Sequence, residues 1–177
     1  ARKCGGPTPG AASNDSSAHR PIDTPVPSPD FDDFDHASHM RSALNLAREA
    51  AARGDEPFGS VLVRDDAVVM RESNRINTEA DLRRHPELHL AHRACREYAP
   101  DDRAAMVMYT STEPCPMCAG GIRHAGLGRV VYSVGGDELR EFTGSDPPPR
   151  AAEILDCEVV GPVLNEEGRA VHEDFDW

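Results

Sequence analysis

The segment that most narrows what this chain can fold into is Pro114-Cys115-Pro116-Met117-Cys118, inside the run Tyr109 to Gly121. Cysteines three apart share one face of a helical turn. A proline directly after Cys115 suits the first position of a helix, where its missing N–H costs nothing. Cys115 therefore reads as a helix cap and Cys118 as a first-turn residue, both at the positive helix end that favours thiolates. Thiolates at this spacing are typical zinc ligands. Alone, the pair stays open between half of a four-cysteine site, a redox couple and coincidence. The second piece lies upstream in His85-Pro86-Glu87, where a proline again follows the candidate ligand and would open a helix.

Together the pieces read H-x-E…P-C-x-x-C, the signature of zinc deaminases. On these residues the sequence resembles the cytidine deaminase-like superfamily, in the branch of cytosine, guanine and tRNA-adenosine deaminases, over residues 36–135. The resemblance implies an α/β fold: a three-layer α/β/α domain with a mixed central sheet. It implies a zinc ion held by His85, Cys115 and Cys118, and Glu87 as a proton shuttle that is not itself a ligand.

The chemistry needs these groups. Hydrolytic deamination replaces an exocyclic amine with oxygen, and water is a weak nucleophile at neutral pH. Zinc lowers the pKa of a bound water to about 7, and a catalytic zinc typically keeps three protein ligands and one open position. One carboxyl group close by can carry the proton to a ring nitrogen and then to the leaving amine. Pro86 departs from the family, which more often has Ala there. Proline at a first helical position costs little, so the geometry is expected to hold.

The chain has 177 residues and a net charge of −12. That length suits one domain with a real core, expected over residues 31–177. Residues 1–30 are rich in Pro, Gly, Ser and Thr, show no hydrophobic period, and are expected to be a disordered tail. The negative charge repels phosphate backbones and weighs against a nucleic-acid partner. Lys3 is the sole lysine, and acidic pairs such as Asp65-Asp66 recur; a salt-adapted source explains that bias as well as function does. No apolar run approaches the ~20 residues of a membrane span, and the start lacks the apolar middle of a secretory signal. A cytoplasmic protein without membrane contact is expected. Five cysteines in such a chain do not suggest a disulfide framework. Cys95 and Cys157 are assigned to the core, and Cys4 falls in the tail.

Hydrophobic periodicity predicts a helix over 36–53, strands over 58–64 and 67–72 joined by a tight turn, and a polar loop over 73–84. A helix over 86–98 follows, with Leu88, Ala91, Cys95 and Tyr98 facing inward. Then come a strand over 106–110, a helix over 116–125 and a strand over 129–134. Beyond Gly135-Gly136 the signal weakens to a short helix over 151–155, a strand over 157–160 and a polar end with two aromatics.

The substrate contacts are expectations from the resemblance. Asn74 resembles the loop asparagine that hydrogen-bonds the base in relatives, although a loop Asn is by default a turn former. Phe58-Gly59 resembles the strand entry of guanine and related deaminases, and Phe58 would be an apolar wall for a flat ring or ordinary core. Trp177 and Phe175 are large aromatics needing burial. In guanine deaminase relatives the C-terminal segment covers an active site, sometimes that of the other subunit; the alternative is a tail docked on its own domain. Glu113 either orients the site or caps its turn, with the structural role favoured. His89 and His92 are expected to be exposed helix residues, since Pro86 stands where the peptidase motif has Glu. His124 stays open between pocket and subunit contact.

The expected function is zinc-dependent deamination of a free purine or pyrimidine base or nucleoside, foremost guanine to xanthine, by a homodimer. Cytosine or cytidine, and tRNA adenosine, are alternative substrates. A zinc-stabilised binding domain is the non-enzymatic alternative; it requires a closed metal site, with Cys157 a candidate fourth ligand.

Overall fold

The structure, a computed structural model, describes residues 30–177; the expected N-terminal tail up to residue 29, with Cys4, lies outside them. A five-stranded sheet runs in the order β2-β1-β3-β4-β5. Its strands are β1 (Gly59–Arg64), β2 (Ala67–Ser73), β3 (Val107–Thr112), β4 (Arg129–Val134) and β5 (Glu158–Val160). β1 pairs antiparallel with β2 and β3, while β3, β4 and β5 are parallel, which makes the sheet mixed. The helices are α1 (His36–Arg53), α2 (Ile76–Glu79), α3 (Pro86–Glu97), α4 (Pro100–Ala104), α5 (Pro116–Ala125), α6 (Gly136–Thr143), α7 (Ala151–Ile154) and α8 (Asn165–Glu173).

Helices cover both faces, as expected for three layers. On one face Met40, Ala43, Leu44 and Ala47 of α1 and Val171 of α8 pack against Val61, Val63, Val107, Tyr109 and Val131. On the other, Leu90, Ala91 and Ala94 of α3 and Ala119, Ile122 and Ala125 of α5 pack against Leu62, Met108 and Val130. The strands alternate between these clusters because successive side chains point to opposite faces. The face carrying α3 and α5 is the one that matters for the site.

Local chemistry sets the boundaries. The Asp35 carboxylate accepts from the Ser38 N–H to cap α1, and left-handed Gly54 closes it. Asp65 and Asp66 both have positive φ, so the β1–β2 hairpin turns on the geometry that matches strand twist. A Cβ on Gly59 would lie 2.4 Å from the Ala43 carbonyl oxygen, so β1 enters the sheet pressed against α1 and only glycine fits.

The structure corrects four details. Residues 73–84 are not a plain loop: α2 and a 3-10 turn at Leu82–Arg84 lie within them. Pro100 opens α4, and β3 runs on to Thr112. Gly136–Thr143 and Asn165–Glu173 are helices where the sequence signal had faded. Cys95 is exposed and Leu88 only half-buried. The inward stripe of α3 is Glu87, Leu90, Ala91 and Ala94, a phase fixed by burying a carboxylate that a purely apolar pattern leaves outside.

Candidate active site

Two helix N-termini meet at the site. His85 caps α3 with Pro86 in the first turn, and Cys115 caps α5 with Pro116 in the same place. Each proline occupies a position whose N–H has no helical partner. One ligand atom each from His85, Cys115 and Cys118 lies within 4.8 Å of the others, and this is the only such group among the described residues. Cys118 is fully buried, while His85 and Cys115 are half-buried. Cys157 is outside the group and packs against the core beneath α5 and α7, so the closed-site alternative loses its fourth ligand.

The electrostatics suit a cation. Hydrogen bonding from Cys118 holds the Cys115 thiol down to about 4 against the effect of burial, and His85 adds to the shift. The Cys118 thiol is pushed up by that same hydrogen bond and by burial. The two thiols lie in hydrogen-bond contact with each other, and Cys115 with His85, so a metal ion at the triad would take over those contacts. Two sulfur donors and one imidazole make a donor set that fits such an ion.

Glu87 stands in the first turn of α3, 5% exposed. Its Oε1 accepts from the Thr110 hydroxyl at 2.9 Å, and Thr110 in turn accepts from the Ser60 hydroxyl at 2.9 Å. Burial pushes its carboxyl above the ordinary carboxylate range, opposed by its own backbone N–H, by His85 and by Thr110. Thr110 thus holds one carboxyl oxygen of Glu87.

Asn74 is completely buried at the end of β2. Its Oδ1 accepts from the Ile76 N–H at 2.8 Å, which fixes the amide orientation and leaves Nδ2 as a donor. Nδ2 has no partner among the described residues. The following turn is organised by buried Asp55, which accepts from Asn77 N–H, Thr78 N–H and the Thr78 hydroxyl and pairs with Arg53. Arg53 also donates to the Asn74 carbonyl at 2.6 Å. Sequence reasoning missed Asp55, because a lone aspartate near a helix end carries no periodic signal.

Phe58 lies beside Asn74, whose N–H donates to its carbonyl. Its ring packs 6.0 Å from Trp177 and 5.9 Å from His172. Trp177 also stacks on His172 at 5.5 Å and donates from Nε1 to the His172 carbonyl, so the C-terminal aromatics dock on their own domain. His172 went unnoticed in the sequence because it sits in a polar end where only the two aromatics stood out.

The remaining candidates separate cleanly. Glu113 accepts from Gly136 N–H, Ala151 N–H and Arg150, so it ties α6 and α7 to the end of β3. His92 and His124 are exposed, whereas His89 is half-buried beside Glu72 and Arg84.

Residues 34–156 match the model of the MafB19-like deaminase family. The chain belongs to that family, within the cytidine deaminase-like superfamily, and is by class a hydrolytic deaminase. Among its relatives, the "Probable cytosine deaminase" of Schizosaccharomyces pombe is 30% identical over 149 residues, covering 78% of this chain and 90% of that one. The guanine deaminase of Bacillus subtilis is 34% identical over 101 residues, covering 56% of this chain and 65% of that one. A structure from a study of A-to-I editing by tRNA:A34 deaminases superposes with a TM-score of 0.60 at 28% identity, covering 76% of this chain and 99% of that one.

Proposed function

We propose that residues 31–177 form a zinc-dependent deaminase of a free nucleobase, with guanine converted to xanthine as its principal reaction. The observation that carries this reading is the placement of Asn74 Nδ2. A buried amide donor without a partner among the described residues stands beside Phe58, where a bound base would complete it. Leaving such a donor unpaired costs about 1–3 kcal/mol, and a base carbonyl or ring nitrogen offsets it.

In this reading zinc is held by His85, Cys115 and Cys118 and supplies hydroxide near neutral pH. Asn74 and Phe58 hold the base, one by its polar edge and the other by its face. Glu87 Oε2 takes one proton of the attacking water and delivers it to the ring nitrogen, then takes the second from the newly added hydroxyl and passes it to the departing amine, which leaves as ammonia. Thr110 keeps the carboxyl oriented, and Trp177 closes the base site against water. Ligation through free thiols fits the reducing cytoplasm. The reading includes a homodimer, supported by the exposed apolar side chains of Leu82 and Met117 beside His85 and Cys118.

A cytosine substrate is the second reading, favoured by the length over which the S. pombe relative matches. A polynucleotide fits less well, because the net charge is −12 and the C-terminal aromatics close over Phe58.

The test is ammonia release by the zinc-loaded protein from guanine, cytosine, adenine, their nucleosides and a tRNA, with Glu87→Ala as the control. Release from guanine that vanishes in the control is the expected result. Release from cytosine selects the second reading, and release only from tRNA overturns the free-base proposal.

A further inference from the structure

Three buried side-chain polar atoms lack a hydrogen-bond partner among the described residues: Asn74 Nδ2, Arg84 Nε and His172 Nδ1. Arg84 Nε still lies 2.8 Å from the Glu79 carboxylate, an ion pair that accounts for it. The other two flank a single residue, Phe58: one through its backbone, the other through its ring.

His172 belongs to α8, whose helix packs on the α1 face, but its ring reaches the carboxyl end of β3. There Nε2 lies 3.0 Å from the Thr112 hydroxyl. Thr112 is two residues beyond Thr110, so both point to the face that carries Glu87, about 7 Å apart along the strand. Phe58 directly precedes β1, whose Ser60 pairs with Thr110, and its ring packs 5.9 Å from that of His172. The imidazole thus sits among Phe58, Phe142 and Trp177 and is 1% exposed.

The tautomer follows from counting partners. If Nε2 carried the proton, both the Thr112 hydroxyl hydrogen and Nδ1 would be unpaired. With the hydroxyl donating to Nε2, only Nδ1–H is left over. An apolar aromatic setting gives that donor nothing to bond, and a substrate base does.

We propose that His172 reads the substrate: its Nδ1–H donates to a carbonyl oxygen or unprotonated ring nitrogen of the bound base and helps set which base is accepted. This deepens the free-base reading and rests on it. Asn74 and His172 would then hold two points of one planar ring, with Phe58 between them.

Two substitutions separate this role from packing. His172→Gln places an amide where Nε2 was and keeps the Thr112 contact but loses Nδ1. His172→Asn places an amide where Nδ1 was and loses the Thr112 contact. Steady-state kinetics on the preferred base and the next best base, with melting temperatures, give the answer. The expected result is KM raised about tenfold in the Gln variant, the worth of one hydrogen bond. That variant should also discriminate less between the two bases, while the Asn variant stays nearer wild type in KM despite a lower melting temperature. A Gln variant with wild-type KM, or KM values that simply track the melting temperatures, overturns the inference while leaving the function intact. Wild-type protein inactive on every free base defeats the functional reading first, and this inference with it.

Discussion

The Thr110 hydroxyl donates to Glu87 Oε1 at 2.9 Å from the middle of a fully buried strand. This bond joins the central sheet to the first turn of α3 and holds one oxygen of the carboxyl still. Thr110→Val keeps the shape and removes the donor. The expected loss is about 1–3 kcal/mol of interaction with the carboxylate, read as kcat lowered roughly tenfold or more with bound zinc unchanged. Unaltered kcat in a variant that retains its metal would show that Glu87 does not need this anchor.

Metal content is a separate prediction. One zinc per chain is expected by elemental analysis, and Cys118→Ala should abolish it, because Cys118 is buried and no other cysteine or histidine among the described residues joins the group. Structural metal adds to folding free energy, so chelation should also lower the melting temperature. Stoichiometric zinc persisting in Cys118→Ala would sink the ligand assignment.

Asp55 is expected to matter far more than its position at a helix end suggests. It accepts from two backbone N–H groups and the Thr78 hydroxyl, and pairs with the same Arg53 that holds the Asn74 carbonyl. Asp55→Ala leaves these partly buried donors without their acceptor. A cost of about 3 kcal/mol in urea unfolding is expected, together with a raised KM as the Asn74 turn loosens. A stability change below 1 kcal/mol would contradict this.

His172 gives the fold a defined response to acid. Burial, with Arg169 adding to it, holds the imidazole down from its ordinary 6.5 to about 4. Between those values the unfolded chain binds a proton that the folded chain does not, so stability is complete above 6.5 and falls as pH drops towards 4. The loss across that window is about 3 kcal/mol from this residue. Urea melts of wild type and His172→Gln at pH 7 and pH 5 test it. The wild type should lose stability at pH 5 that the variant keeps, and parallel losses would place the acid sensitivity elsewhere.

The sequence made the grouping of His85, Cys115 and Cys118 and the place of Glu87 legible because their spacing is dictated by helix geometry: a cap, a proline and a first turn, used twice. The layers were legible for a related reason, since α1 and the strands carry regular apolar periods. What escaped obeys other rules. The phase of α3 was hidden because Glu87, a charged residue, lies on its buried stripe. α6 and α8 are polar helices whose order comes from tertiary ties, such as Asn165 donating to the Ser133 carbonyl and to Glu138. Asp55 and His172 act through contacts with residues far along the chain, which no local pattern encodes.

Trp177 is the sole tryptophan of the chain and packs within ring contact of His172, Phe58 and Phe175. If it closes the base site, its fluorescence reports occupancy directly. Titrating the substrate base into Glu87→Ala, which binds without turnover, should shift or quench the emission with saturation. Trp177→Ala should raise KM several-fold while the metal stays bound, since the face of the base loses its cover. It should cost only about 1–2 kcal/mol of stability, because the ring is 38% exposed and its burial is incomplete. A tail that merely docks predicts a different pair of results: the same loss of stability, with KM unmoved and emission indifferent to the base. The two readings therefore part on KM and emission, measured on proteins whose fold and metal content can be checked independently.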